Sequence, residues 1–135
     1  MTATEYQTVR VKKIGNNVEE EVVLENDNHE LVCFAGNRPA SLEIGKTCLV
    51  VFTFLIIDDY EITVLEDDSN QSLERIDDSF SYKITGLLID GRLRCFGFEF
   101  NDEALETEFA YLNGKTVSMK VDRIDVKFLK NSSGY

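Results

Sequence analysis

The dipeptide Asp90-Gly91 sits between two segments that alternate apolar and polar residues, and it constrains the fold more than any other feature of the chain. A type I′ turn needs positive φ at both central positions, which Asp and Gly supply at little steric cost. Before the turn, Phe80, Tyr82, Ile84 and Leu88 share one face. After it, Phe96, Phe98 and Phe100 share one face and Leu93, Cys95 and Gly97 the other. An antiparallel hairpin over residues 80–100 follows, with its aromatic residues read as core rather than as a binding platform.

The same pattern recurs along the chain. Val9 and Val11 alternate with Arg10 and Lys12 as far as Gly15-Asn16-Asn17. Val18, Glu20, Val22 and Leu24 then oppose Glu19, Glu21 and Glu25, interrupted only by Val23. This predicts a hairpin with an acidic outer face. A second turn at Asn26-Asp27-Asn28 leads to a short strand, Leu31 to Phe34, and then to a loop that holds the single proline, Pro39, where it removes no ladder hydrogen bond. From Cys48 to Ile57 only Thr53 is polar, and the residues are mostly β-branched or aromatic, which predicts a central strand buried on both faces. Tyr60 to Leu65 either continues that strand after a bend or returns as its hairpin partner.

Asn101 is suited to cap a short helix near 102–112, with Asp102, Glu103 and Glu106 in its first turn and Leu105, Phe109 and Leu112 at helical spacing. Asn113-Gly114 ends it. The last strand, Lys115 to Leu129, changes phase at Asp122-Arg123, as a strand does when a bulge or bend lets it serve two sheets.

A chain of 135 residues fits one domain, placed over 1–130 with a polar tail at 131–135. Short strands punctuated by turns predict a mainly β fold, an antiparallel small barrel or β-sandwich of six or seven strands with one short helix. Strands at 47–57, 60–65, 80–89 and 92–100, the helix, and a strand at 115–129 come close to the order of the five-stranded oligonucleotide/oligosaccharide-binding (OB) barrel. In that OB-like reading the N-terminal hairpin is extra.

Charge narrows the partner class. The chain carries 25 Asp and Glu against 14 Lys and Arg, a net charge of -11. Such a surface repels phosphate backbones and anionic lipid and attracts cationic proteins. Nine acids and one base, Arg75, lie between Asp58 and Ser79. The stretch from Glu66 to Ser79 reads as a long solvated loop or insertion. Asp58, Asp59, Glu66, Asp67, Asp68, Glu74, Asp77 and Asp78 are therefore the candidate partner-binding residues.

Little else in the sequence offers chemistry. His29 is the only imidazole and lies in a turn of Asn and Asp, which reads as a surface position. No GxSxG, HExxH, CxxC or phosphate-binding glycine loop is present. Asp58-Asp59 lacks the surroundings of an acid–base pair, and Asp67 to Gln71 lacks the glycine and final glutamate of a calcium loop. No cofactor or metal is expected. Cys33, Cys48 and Cys95 read as buried reduced thiols, and with no apolar leader or spanning stretch the expected location is cytoplasmic.

Arg10, Lys12 and Lys13, with Lys115, Lys120, Arg123, Lys127 and Lys130, would form a basic stripe beside Tyr6 and Tyr111 if the first and last strands were neighbours. Cross-strand charge pairing is the simpler reading. The expected function is a non-enzymatic acidic protein-binding module, an inhibitor or immunity-type protein that neutralises a basic partner such as a toxin nuclease. The alternative is an OB-like nucleic-acid- or saccharide-binding domain, and solubility alone also accounts for an acidic surface.

Overall fold

A computed structural model describes residues 6–15, 18–66 and 70–129. Among them, eleven strands run in chain order as β1 (Gln7–Ile14), β2 (Glu21–Glu25), β3 (Glu30–Phe34), β4 (Thr47–Leu55), β5 (Ile62–Val64), β6 (Ser72–Arg75), β7 (Tyr82–Ile89), β8 (Arg92–Cys95), β9 (Phe98–Asn101), β10 (Thr116–Val121) and β11 (Arg123–Phe128). A one-turn helix, α1 (Glu103–Glu106), and a 3-10 turn, Ala110–Leu112, separate β9 from β10. The fold is mainly β and barrel-like, with more strands than the turn count predicted. The expected 131–135 tail and the Asn16-Asn17 part of the first turn lie outside the described residues.

Five strands close a barrel in the order β1-β2-β3-β11-β4, with β4 returning to β1. All its pairs are antiparallel except β3 with β11, which meet in parallel at Phe34 and Asp125. These are not the strands that sequence reasoning assigned to a barrel. The N-terminal hairpin, set aside as extra, supplies two of the staves. Residues 56–122 form one long excursion between the fourth stave and the fifth.

Edge sharing explains the difference. One edge of β4 pairs with β11 along its length, while the other takes β1 at Thr47–Val50 and then β9 at Phe52 and Thr53. β7 repeats the device, with β10 on one edge and on the other β6 and then β8. Gly86 is needed at that handover, because a Cβ there would lie 2.2 Å from the Arg94 carbonyl oxygen. A second sheet, β5-β10-β7 with β6, β8 and β9, is thereby joined to the barrel through β4.

The predicted turn at Asp90-Gly91 forms, with φ of 51° and 78°. The partner strand is shorter than predicted, because Phe96 and Gly97 also take positive φ, 50° and 87°, and turn the chain again between β8 and β9. Phe96 is held there from three sides. Its ring stacks on His29 at 4.0 Å, its N–H donates to Gln71 Oε1, and its carbonyl accepts from Asn26 Nδ2 at 2.8 Å. His29 is thus half-buried against an aromatic ring rather than a free surface side chain.

The core is one cluster. Phe52, Phe98 and Phe100 are fully buried, with ring centroids 5.8–6.3 Å apart, at the joint between barrel and second sheet. The phase change at Asp122 divides β10 from β11, so that one nearly continuous strand serves both sheets. A shift of register between Val11 and Lys13 keeps Val11 inside and leaves Lys12 and Lys13 exposed.

Candidate functional site

The acidic stretch from Asp58 to Ser79 is not the single loop that composition suggested. β5 pairs with β10 rather than with β4, and β6 pairs with β7, placing Glu74 opposite Lys83. Glu66 leaves β5 beside Thr116, whose carbonyl accepts the Leu65 N–H at 2.8 Å. Asp77 and Asp78 lie past Tyr82, at the other end of the β7–β10 pair. Five residues of strand separate the two ends, about 17 Å. Asp67 and Asp68 lie outside the described residues.

Arg75 builds the β6–β7 turn. Its Nε donates to the Ser79 carbonyl at 2.7 Å and its Nη2 to the Asp78 carbonyl at 2.9 Å. Asp77 takes φ of 53° there, a conformation Asp tolerates, and both aspartates are exposed.

Asp122 ties this turn to the loop that leaves β4. Its Oδ2 accepts the Ile57 N–H at 2.7 Å, and its carbonyl accepts the Ser81 hydroxyl at 3.0 Å. Asp58 and Asp59, both exposed, therefore project from the same corner of the fold as Asp77 and Asp78. Ile57, immediately before Asp58, has 71% of its surface exposed.

On the far side of Asp59, Tyr60 turns inward. Its hydroxyl donates to Asp102 Oδ2 at 2.8 Å, and its ring packs on Phe109 at 5.4 Å. Burial pushes the Tyr60 phenol up to about 12, helped by the Asp102 hydrogen bond and by the charges of Asp102, Glu108 and Glu103. Burial also raises Asp102.

The loop acids Asp58, Asp59 and Glu61 thus adjoin a second acidic group, Asp102, Glu103, Glu106 and Glu108. Sequence reasoning saw three of these only as first-turn helix residues. The available signal was that residues 102–114 hold four acids and no base. The helix itself is shorter than expected. Asn101 belongs to β9, and Asp102 takes the N-cap position, with its carboxylate engaged by Tyr60.

Among the described residues, which exclude Lys130, the basic side chains of the first and last strands do not form a stripe. β1 and β11 lie on opposite edges of β4, where Val50 pairs with both Gln7 and Phe128. Arg10 pairs with its cross-strand neighbour Glu25 at 2.9 Å, and Lys12 pairs with Glu30. Arg123 bonds Asp125 at 2.6 Å while lying over the Phe34 ring. Arg92 and Arg94 both approach Glu99, at 3.2 and 3.5 Å.

The three thiols are buried and unbridged. Burial pushes Cys48 and Cys95 up to about 11, and Cys33 well above its ordinary value. Among the described residues no group of three or more His, Cys, Asp and Glu is placed to hold a metal ion, and no helix is long and apolar enough to cross a membrane.

Fold and surface together define a closed β-barrel with a second sheet inserted before its last strand and an acid-rimmed corner where the two meet. The chain belongs to the family described as uncharacterised conserved protein UCP019853, whose model matches residues 5–129. No curated protein and no solved structure matches it.

Proposed function

We propose that this protein is a non-enzymatic binding module whose acidic corner docks on a basic protein, in the manner of an inhibitor or immunity-type protein that masks the cationic cleft of a toxin nuclease. The observation that carries this reading is the arrangement around Ile57. Ile57, an exposed apolar side chain, precedes Asp58 and Asp59, its N–H is held by Asp122, and Asp122 also bonds Ser81 at the end of the turn that carries Asp77 and Asp78, with further acids around Tyr60. Apolar anchors inside a charged rim are a common interface composition, and a rim of one sign accelerates encounter with the opposite sign. The pairing of Arg10, Lys12 and Arg123 with carboxylates supports it further, since it occupies those three charges that a phosphate backbone would otherwise meet.

A second reading has its own support. In space the barrel runs β4-β1-β2-β3, a Greek key, and β11 closes it as the fifth stave. A five-stranded Greek-key barrel is the OB architecture, which binds oligonucleotides and oligosaccharides.

Surface-immobilised protein distinguishes the two. Under the preferred reading a cationic ribonuclease binds and weakens about tenfold or more when salt rises from roughly 50 to 200 mM, whereas a single-stranded oligonucleotide does not bind. The variant Asp58→Asn/Asp59→Asn/Asp77→Asn/Asp78→Asn binds at least about tenfold more weakly with its melting temperature unchanged or raised. Equal binding by the variant, or binding of the oligonucleotide alone, overturns the acidic-corner reading.

A further inference from the structure

The turn before β2 and the connection from β3 to β4 border a half-open cavity of about 560 Å3, lined by Ile14, Glu19, Glu20, Arg38, Pro39 and Leu42 among others. The two segments are held together by a backbone bond from the Ala35 N–H to the Glu20 carbonyl at 2.7 Å. Pro39 restricts Arg38 before it to extended backbone, and the Pro39 carbonyl accepts the Leu42 N–H at 3.2 Å. The wall that carries Arg38 is therefore built, not loose.

Arg38 stands apart from the other arginines. Arg10, Arg75, Arg92, Arg94 and Arg123 each lie within ion-pair distance of a carboxylate. Arg38 has no ion pair among the described residues, although Glu19 and Glu20 line the same cavity and the chain carries a net charge of -11. Its Nη1 is shielded from solvent and has no hydrogen-bond partner. A shielded guanidinium nitrogen left unbonded costs free energy that a bound acceptor would recover.

We propose that this cavity binds a small zwitterion, an amino acid or short peptide with free termini, its carboxylate on Arg38 and its ammonium towards Glu19 and Glu20. The planar fork of arginine matches a carboxylate in bidentate geometry. Two acids on the opposite wall repel a multiply charged anion such as phosphate and attract a cation. One positive and two negative groups around one cavity select a ligand that carries both signs. Its lining includes none of the acids of the docking corner, so its failure would leave the docking proposal untouched.

The test uses the full chain and four probes: L-alanyl-L-alanine, N-acetyl-L-alanine, L-alaninamide and inorganic phosphate, each titrated to about 10 mM by amide NMR. The dipeptide should shift the amides of Glu19, Glu20 and residues 35–42 saturably. N-acetylalanine and alaninamide, each lacking one charge, should bind about tenfold more weakly or worse, and phosphate should not bind. Arg38→Gln should abolish the dipeptide response with folding retained, since it removes an unpaired charge. Should Arg38→Gln unfold the protein, the pair Glu19→Gln/Glu20→Gln, one exposed and one half-buried, replaces it, with the dipeptide weakened to the level of N-acetylalanine. No response to the dipeptide, a response unchanged in both variants, or phosphate binding as tight as the dipeptide overturns the proposal.

Discussion

Replacing Tyr82 with Phe isolates one hydrogen bond that fastens the second sheet to the barrel. β3 pairs with β2 along one edge, but on the other it meets β11 only at Phe34, so the Val32 N–H has no strand partner there. The Tyr82 hydroxyl accepts it at 2.8 Å, with Tyr82 only 3% exposed and Val32 8%. Deleting the hydroxyl changes the packed volume little and leaves a buried N–H unbonded. Such a loss costs about 1–3 kcal/mol. For a domain of this size that lowers the melting temperature by roughly 4–12 °C. Thermal unfolding followed by circular dichroism measures the drop, and amide exchange at Val32 should accelerate in step with it. If Tyr82→Phe melts within about 1 °C of wild type and Val32 exchanges as slowly as before, the bond contributes nothing and the argument for a fastened second sheet fails.

The thiols and the strained turn supply two further predictions. Because burial holds the folded Cys48 and Cys95 near 11 against an ordinary 9.0, their neutral forms stabilise the fold fully below pH 9, and that stability is lost as pH rises towards 11. Urea midpoints measured across that window should fall, and a thiol reagent at pH 8 should label none of the three cysteines until denaturant is added; rapid native labelling would contradict their burial. At Phe96, whose φ is 50°, Asn accepts the left-handed backbone while Val does not. Both lose the stack on His29, so Phe96→Val should be less stable than Phe96→Asn by about 1–2 kcal/mol in urea unfolding. Equal stability of the two would mean the backbone conformation is not what governs this site.

Local chemistry was readable from the sequence wherever it was decided by neighbours. The Asp90-Gly91 turn and the phase change at Asp122 each follow from residues within a few positions of one another, whereas the run from Cys48 to Ile57, expected to be buried on both faces, is buried only at Cys48 and Val50–Phe52 and ends with Ile57 exposed. Phe96 could not be read that way. Its positive φ is tolerated because Asn26, His29 and Gln71, distant along the chain, bond or stack on it. A barrel was legible as one of two architectures, but which strands form it was not, since nothing in the periodicity of β4 says that one edge is divided between β1 and β9. The candidate acids were half legible. Composition found Asp58 to Asp78, but only the Tyr60–Asp102 bond and the Asp122 corner reveal that the helix acids join Asp58 and Asp59 while Glu66 lies at the other end of the sheet. Arg38 sits in a short Gly-Asn-Arg-Pro loop with no motif to mark it.

The closing pair of staves also sets an order of events during synthesis. Four strands of the barrel are complete once β4 has emerged, yet β4 and β3 both wait for β11, which follows only after residues 56–122. Until then the outer edge of β3 and one edge of β4 are open templates for other chains, with the apolar residues of β4 behind them. Closure by so late a stave means a high mean separation between partners, and the chain should refold slowly for its size. A ribosome-bound segment ending before Arg123 should therefore be the form most in need of a chaperone.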